Sequence, residues 1–171
     1  MELDWLKSRL DKAADAENAL REAAPEICKA FRAERVTIYR ADDGGASLVS
    51  VVQMGIESFG QVKVRIDSGR SVAGYVGASR KLVNIRDAYD DAELAPMNMA
   101  HKMFKVVDER TGFRTSQVLA APILSPGGRL LGVVELFNRE DKRRFPKACE
   151  ADIAQLCDAI APAFEKKVIP A

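Results

Sequence analysis

The chain has 171 residues, 47% of them hydrophobic and 30% charged, with a formal net charge of +1. Those values suit one folded domain with a sizeable core, and they give no overall electrostatic reason to expect nucleic acid or an anionic membrane as partner. Cys28, Cys149 and Cys157 are odd in number and scattered, against a disulfide framework or zinc site, and the lone His101 leaves no Ser-His-Asp or Cys-His constellation.

The start, MELDWLKSRL, is amphipathic and charged, unlike a secretory signal. No apolar run reaches the ~18 residues of a membrane span, so the cytoplasm is the expected location. Leu3, Leu6, Leu10, Ala13, Leu20, Ala24, Ile27 and Phe31 recur by threes and fours, with one break at Glu17. They predict a helix with a coiled-coil-like stripe, set apart as residues 1–23, with Pro25 kinking it or opening a second helix.

The domain proper is expected over residues 24–165. RVTIYRAD alternates, DDGGA turns and SLVSVVQMG returns, so a hairpin is predicted; QVKVRID adds a strand with Val62, Val64 and Ile66 on one face. SVAGYVGASR predicts a short helix capped by Ser71, and KLVNIRD a strand. A helix from about Asn98 to Arg110 is expected to stop at Gly112. SQVLAAPILSPGGRLLGVVELFNR reads as a hairpin about SPGG. The last helix places Ile153, Leu156, Cys157, Ile160 and Phe164 on one face. Residues 166–171 read as a tail or the start of a linker. Hairpin-linked strands between terminal helices predict an α+β fold on an antiparallel sheet.

The pieces SVAGYV, LVNIRDAY, VDERTGFRTSQVLAAPI, LLGVVELFNR and FPKACE, in this order and spacing, resemble a GAF domain over roughly Ala24 to Phe164. The resemblance implies a central six-stranded antiparallel sheet of GAF/PAS type, with terminal helices on one face and a ligand pocket on the other. Within the family the chain is most similar to the cyclic-nucleotide-responsive branch of phosphodiesterases and bacterial adenylyl cyclases. That likeness implies ligand contacts from the backbone amides of Val72 and Ala73, from Phe104 one helical turn before Asp108, from Asp108, Thr111 and Thr115 on the lid stretch VDERTGFRT, and from Glu135. Thr37 and Gln53 complete the set. Gln53-Met54 stands where that branch has an aromatic-aspartate pair, so weaker stacking on a base is expected.

The branch's structural signature corresponds to Asn138, Arg139, Phe145, Cys149 and Glu150. Arginine replaces lysine and cysteine replaces aspartate, so Arg139 is expected to pair with some other carboxylate. The segment Asp90 to Met103 is longer than in the phosphodiesterase type, and it is expected to bring Met97, Met99 and Met103 beside the pocket mouth. A bilin or methionine sulfoxide reductase site would require cysteines near the pocket, whereas the three here fall on the terminal helices.

Independently of the resemblance, the start of the SVAGYV helix offers amides and a positive dipole end to an anion. The hydroxyls of Thr111 and Thr115 can donate or accept, and Asp108 and Glu135 accept hydrogen bonds. The expected function is therefore a non-catalytic regulatory sensor binding cAMP or cGMP, with no other cofactor, coupled to an output domain and paired as a homodimer through its terminal helices. The alternative is a ligand-free dimerisation or docking module, since the chain also resembles GAF domains attached to secretion and pilus ATPases. An open cavity lined by Thr111, Thr115 and Glu135 favours the sensor; a pocket shut by Met54 and the inserted segment favours the module.

Overall fold

The computed structural model describes residues 1–67 and 69–166; the expected tail beyond residue 166 lies outside the described residues. Two helices open the chain, α1 (Asp4–Lys12) and α2 (Ala16–Phe31), and are followed by strands β1 (Ala33–Ala41), β2 (Ser47–Gln53) and β3 (Lys63–Arg65). Next come α3 (Val72–Ser79), β4 (Val83–Ile85), the short α4 (Asp91–Leu94) and α5 (His101–Thr111). The hairpin β5 (Val118–Leu124) and β6 (Leu130–Arg139) leads to α6 (Lys147–Glu165). The six strands form one antiparallel sheet in the order β3-β2-β1-β6-β5-β4, as expected.

The strands' two-residue alternation divides the core into two layers. Val36 and Ile38 of β1, with Val134 and Leu136 of β6, pack against α1, α2 and α6 through Leu6, Leu20, Ile27, Ile153, Leu156 and Ile160. Tyr39 and Val133 turn to the opposite face and pack with Val72, Val76, Leu94 and Phe104 from α3, α4 and α5. The register sets Thr37 opposite Glu135 and Arg35 opposite Phe137, so these four side chains share the second face. That face carries the cavity described below.

The N-terminal expectation needs two corrections. The helix breaks at residues 13–15, where Asp15 caps α2 by accepting from the amides of Glu17 and Asn18; Pro25 lies inside an unbroken α2. Pro25 is exposed, so the carbonyl it deprives of a partner can face water. In addition, Leu3, Leu6, Leu10 and Leu20 are buried in the same core as the sheet, so residues 1–23 are not a separate seam. A second copy would have to meet other faces of these helices.

The helix expected from Asn98 starts at His101, because the preceding segment folds by itself. Asp90 caps α4 through the amides of Ala92 and Glu93, and Asn98 closes a 3-10 turn with φ 57°. Asp91 then accepts from the His101 amide at 2.7 Å and pairs with its ring Nδ1 at 2.8 Å, which accounts for the lone histidine structurally. Gly112, with φ 70°, ends α5 as expected.

Candidate functional site

A cavity of about 390 Å³ opens between the sheet and α5. Thr37 and Glu135 form its floor, Phe104, Asp108 and Thr111 come from α5, and Thr115 and Val72 complete the expected residues that reach it. Met54 and Met103 also line it, and Met54 does not close it. Met99 is buried in the core and Met97 packs there too, so only one of the three expected methionines reaches the mouth.

Two expected contacts are not among the residues that line the cavity. Gln53 does not line the cavity: its amide takes the Ser50 hydroxyl and donates to the carbonyls of Ile56 and Gly60, tying down the loop after β2. Ala73 is fully buried, and its backbone N–H is directed to the Glu135 carboxyl. Ser71 Oγ accepts from the Gly74 amide at 2.9 Å, so the start of α3 is partly satisfied from within the chain. Gly74 is needed there: a Cβ would lie 2.5 Å from the carbonyl oxygen of Arg65.

Asp108 fastens α5 to the segment before β5. Its carboxylate accepts from the Thr115 amide at 2.9 Å, the Thr115 hydroxyl at 2.7 Å and the Tyr89 hydroxyl at 2.7 Å. Burial and this hydrogen bond to Asp108 raise the Tyr89 pKa. The guanidinium of Arg114 lies 3.5 Å from the Tyr89 ring centroid, covering the cluster. Thus Asp108 and Thr115, both read as ligand contacts, bind each other, and their alignment at the cavity edge holds α5 over the sheet.

Glu135 is 5% exposed. Burial pushes its pKa up to about 8, against the opposing pull of the Ala73 N–H. At neutral pH it is therefore largely a neutral acid. The Tyr39 pKa is raised well above its ordinary value, by burial first and by the Glu135 charge second.

The cavity also has residues that the motif reading missed. Arg35, Arg70 and Arg110 stand around it, with Phe113 and Phe137 in the wall. The Arg35 guanidinium stacks 3.7 Å from the Phe113 ring centroid. It also lies where a Cβ on Gly55 would intrude, at 2.5 Å from Nε, so this glycine leaves the arginine its place. The signal for Arg35 and Tyr39 was present, since both alternate in phase with Thr37 in RVTIY. Arg70 directly precedes SVAGYV, and Phe113 lies inside VDERTGFRT.

The residues of the structural signature make separate attachments, of which Asn138 locks the segment after α5. Asn138 Oδ1 accepts from the amides of Ser116 at 2.7 Å and Gln117 at 3.2 Å, and its Nδ2 donates to the Arg114 carbonyl at 2.8 Å. Arg139 pairs with Asp141 at 3.0 Å, which identifies the carboxylate that replaces the missing aspartate. Phe145 is buried, and Asn84 Nδ2 donates to the Phe145 carbonyl and to Glu150, each at 2.9 Å. Cys149 is only partly buried and makes no such bridge. Asn138→Ala should cost about 2 kcal/mol and lower the melting temperature by roughly 4–8 °C, since a buried and a part-buried amide lose their acceptor. Differential scanning calorimetry measures this, and an unchanged melting temperature would remove the lock.

Among the described residues no group of three or more His, Cys, Asp or Glu side chains could hold a metal ion. No helix among them is long and apolar enough to cross a membrane.

Comparison with known proteins agrees with this fold. A probable 3',5'-cyclic phosphodiesterase, pde-5, of Caenorhabditis elegans is 28% identical over 122 residues, which cover 66% of this chain and 15% of that protein. The chain thus spans a small part of the curated relatives it matches. The GAF domain of a phosphoenolpyruvate-protein phosphotransferase (ptsP) from Coxiella burnetii superposes with a TM-score of 0.75 at 22% identity, over 96% of this chain and 90% of that one. Residues 122 to 287 of a methyl-accepting chemotaxis protein superpose with a TM-score of 0.75 at 23% identity, over 96% and 99%. The family model described as GAF domain matches residues 15–164, and the chain belongs to the GAF domain family.

Proposed function

We propose that this chain is a regulatory sensor that binds a small organic anion in the cavity under α5, with cAMP or cGMP as the first candidates. One observation carries the reading: an open cavity of about 390 Å³ has a polar floor, aromatic walls and three arginines around it. The volume lies in the range of small-molecule sites, about 300–1,000 Å³. Asp108 is engaged by Thr115 and Tyr89, and Glu135 is largely neutral at pH 7, so the arginines dominate the charge a ligand meets. Phe104 and Phe113 offer apolar surface to a ring, and Thr111 offers a hydroxyl. The cyclic phosphodiesterase relative makes a cyclic nucleotide the natural first ligand to test.

The same strands connect cavity and helices. β1 carries Thr37 toward the cavity and Val36 and Ile38 toward α2 and α6. Ligand binding would alter the helices only to the extent that two arrangements differ in affinity. The output would pass through these terminal helices to a neighbouring domain or a second copy of the chain, in a cytoplasmic signalling protein. Titration calorimetry with cAMP and cGMP tests the reading. Arg35→Ala should weaken the bound nucleotide about tenfold by removing a charge-assisted contact. Equal affinity in wild type and variant would sink the assignment of Arg35, and absence of binding by both nucleotides would favour the docking module.

A further inference from the structure

The floor of the cavity presents a competition between two anions for one set of donors. The N-terminus of α3 offers first-turn amides with a positive partial charge, and Val72 lines the cavity. The Ala73 N–H next to it is directed to the carboxyl of Glu135, itself nine-tenths buried and lining the same cavity. An ionised Glu135 therefore takes the place at α3 that the negative group of a ligand would seek. Its burial leaves it little water to retreat into, so two negative charges would share one low-dielectric floor.

We propose that Glu135 is a proton-operated gate on this pocket: ionised, it holds the amide end of α3 and repels an anionic ligand; protonated, it releases that end and offers the ligand a hydrogen-bond donor. The inference rests on the sensor reading above and adds how its site selects and is regulated. Binding of an anion then takes up or retains one proton on the Glu135 carboxyl. The charged and titratable groups facing the same cavity are Arg35 and Tyr39 of β1, Arg70 before α3, and Asp108 and Arg110 of α5. Asp108 is held by three donors, and Tyr39 is pushed well above its ordinary range. Glu135 is the member of this set placed to titrate near neutrality.

Two measurements on the whole chain test this. In the ligand-free protein, the backbone amide resonance of Ala73 should move with a single midpoint near pH 8 and stay fixed in Glu135→Gln. A static Ala73 amide in wild type would overturn the gate without reference to any ligand. Calorimetry with cAMP and cGMP should then give affinity about tenfold weaker at pH 9 than at pH 7 in wild type, and the same at both pH values in Glu135→Gln. Nucleotide binding to wild type with no such pH dependence would overturn the gate and leave the sensor reading intact. No binding by either protein at any pH would overturn the sensor reading and, with it, the ligand half of this proposal. Binding by Glu135→Gln alone, with none by wild type at pH 7 where its carboxyl should carry the proton, would overturn the gate.

Discussion

Asp108→Ala should lower the melting temperature by roughly 6–12 °C, about 3 kcal/mol, before any ligand is considered. The carboxylate accepts three hydrogen bonds, from the Thr115 amide, the Thr115 hydroxyl and the Tyr89 hydroxyl. Asp108 and Thr115 are buried, so truncation leaves donors without water to replace the lost oxygens. The loss also detaches α5 from the start of β5, so ligand affinity should fall as a consequence of a loosened lid. Thr115→Val removes the same hydroxyl bond from the other side, and the double variant should be milder than the sum of the two. Additive losses, or weakened ligand binding in Asp108→Ala with an unchanged melting temperature, would return Asp108 to the role of a ligand contact.

Glu135→Gln should change how stability depends on pH. The folded pKa is raised, to about 8, because burial disfavours the charge. The stabilisation tied to this proton is thus complete below the ordinary glutamate range and is lost as pH rises through about 8. From pH 5 to pH 9 wild type should lose about 4 kcal/mol relative to the variant, which corresponds to roughly 8–16 °C in melting temperature. Melting curves of the two proteins at both pH values give this difference directly. Parallel pH profiles would mean that Glu135 is ionised and well satisfied in the folded protein.

Legibility in the sequence followed periodicity and broke down where side chains choose among partners. Alternation in RVTIYRAD, the SPGG turn before the apolar run LLGVVELFNR, and the three-four spacing of the last helix sufficed for the sheet and its helical layer. The N-terminal stripe had the right period and the wrong audience, because Leu6 and Leu10 fill this chain's own core. Pro25 was a weak guide because a proline on an exposed helix face is tolerated, whereas the Asp15 cap sets the true break. Motif matching placed seven of the nine expected contacts at the cavity: Thr37, Val72, Phe104, Asp108, Thr111, Thr115 and Glu135. It could not tell that Asp108 binds Thr115, or that Gln53 holds a loop, since both depend on distances across the fold. Arg35 escaped because a charged residue on an alternating strand reads as solvent-facing until its partner Phe113 is known.

Thermal unfolding in the presence of cAMP, cGMP and their linear monophosphates tests the central claim most directly. The sensor account predicts that one cyclic nucleotide, at a hundred times its dissociation constant, adds about 2.7 kcal/mol and raises the melting temperature by roughly 5–11 °C. The linear monophosphate should do less. An unchanged melting temperature with both cyclic nucleotides at millimolar concentration would contradict the account and turn attention to what the terminal helices hold.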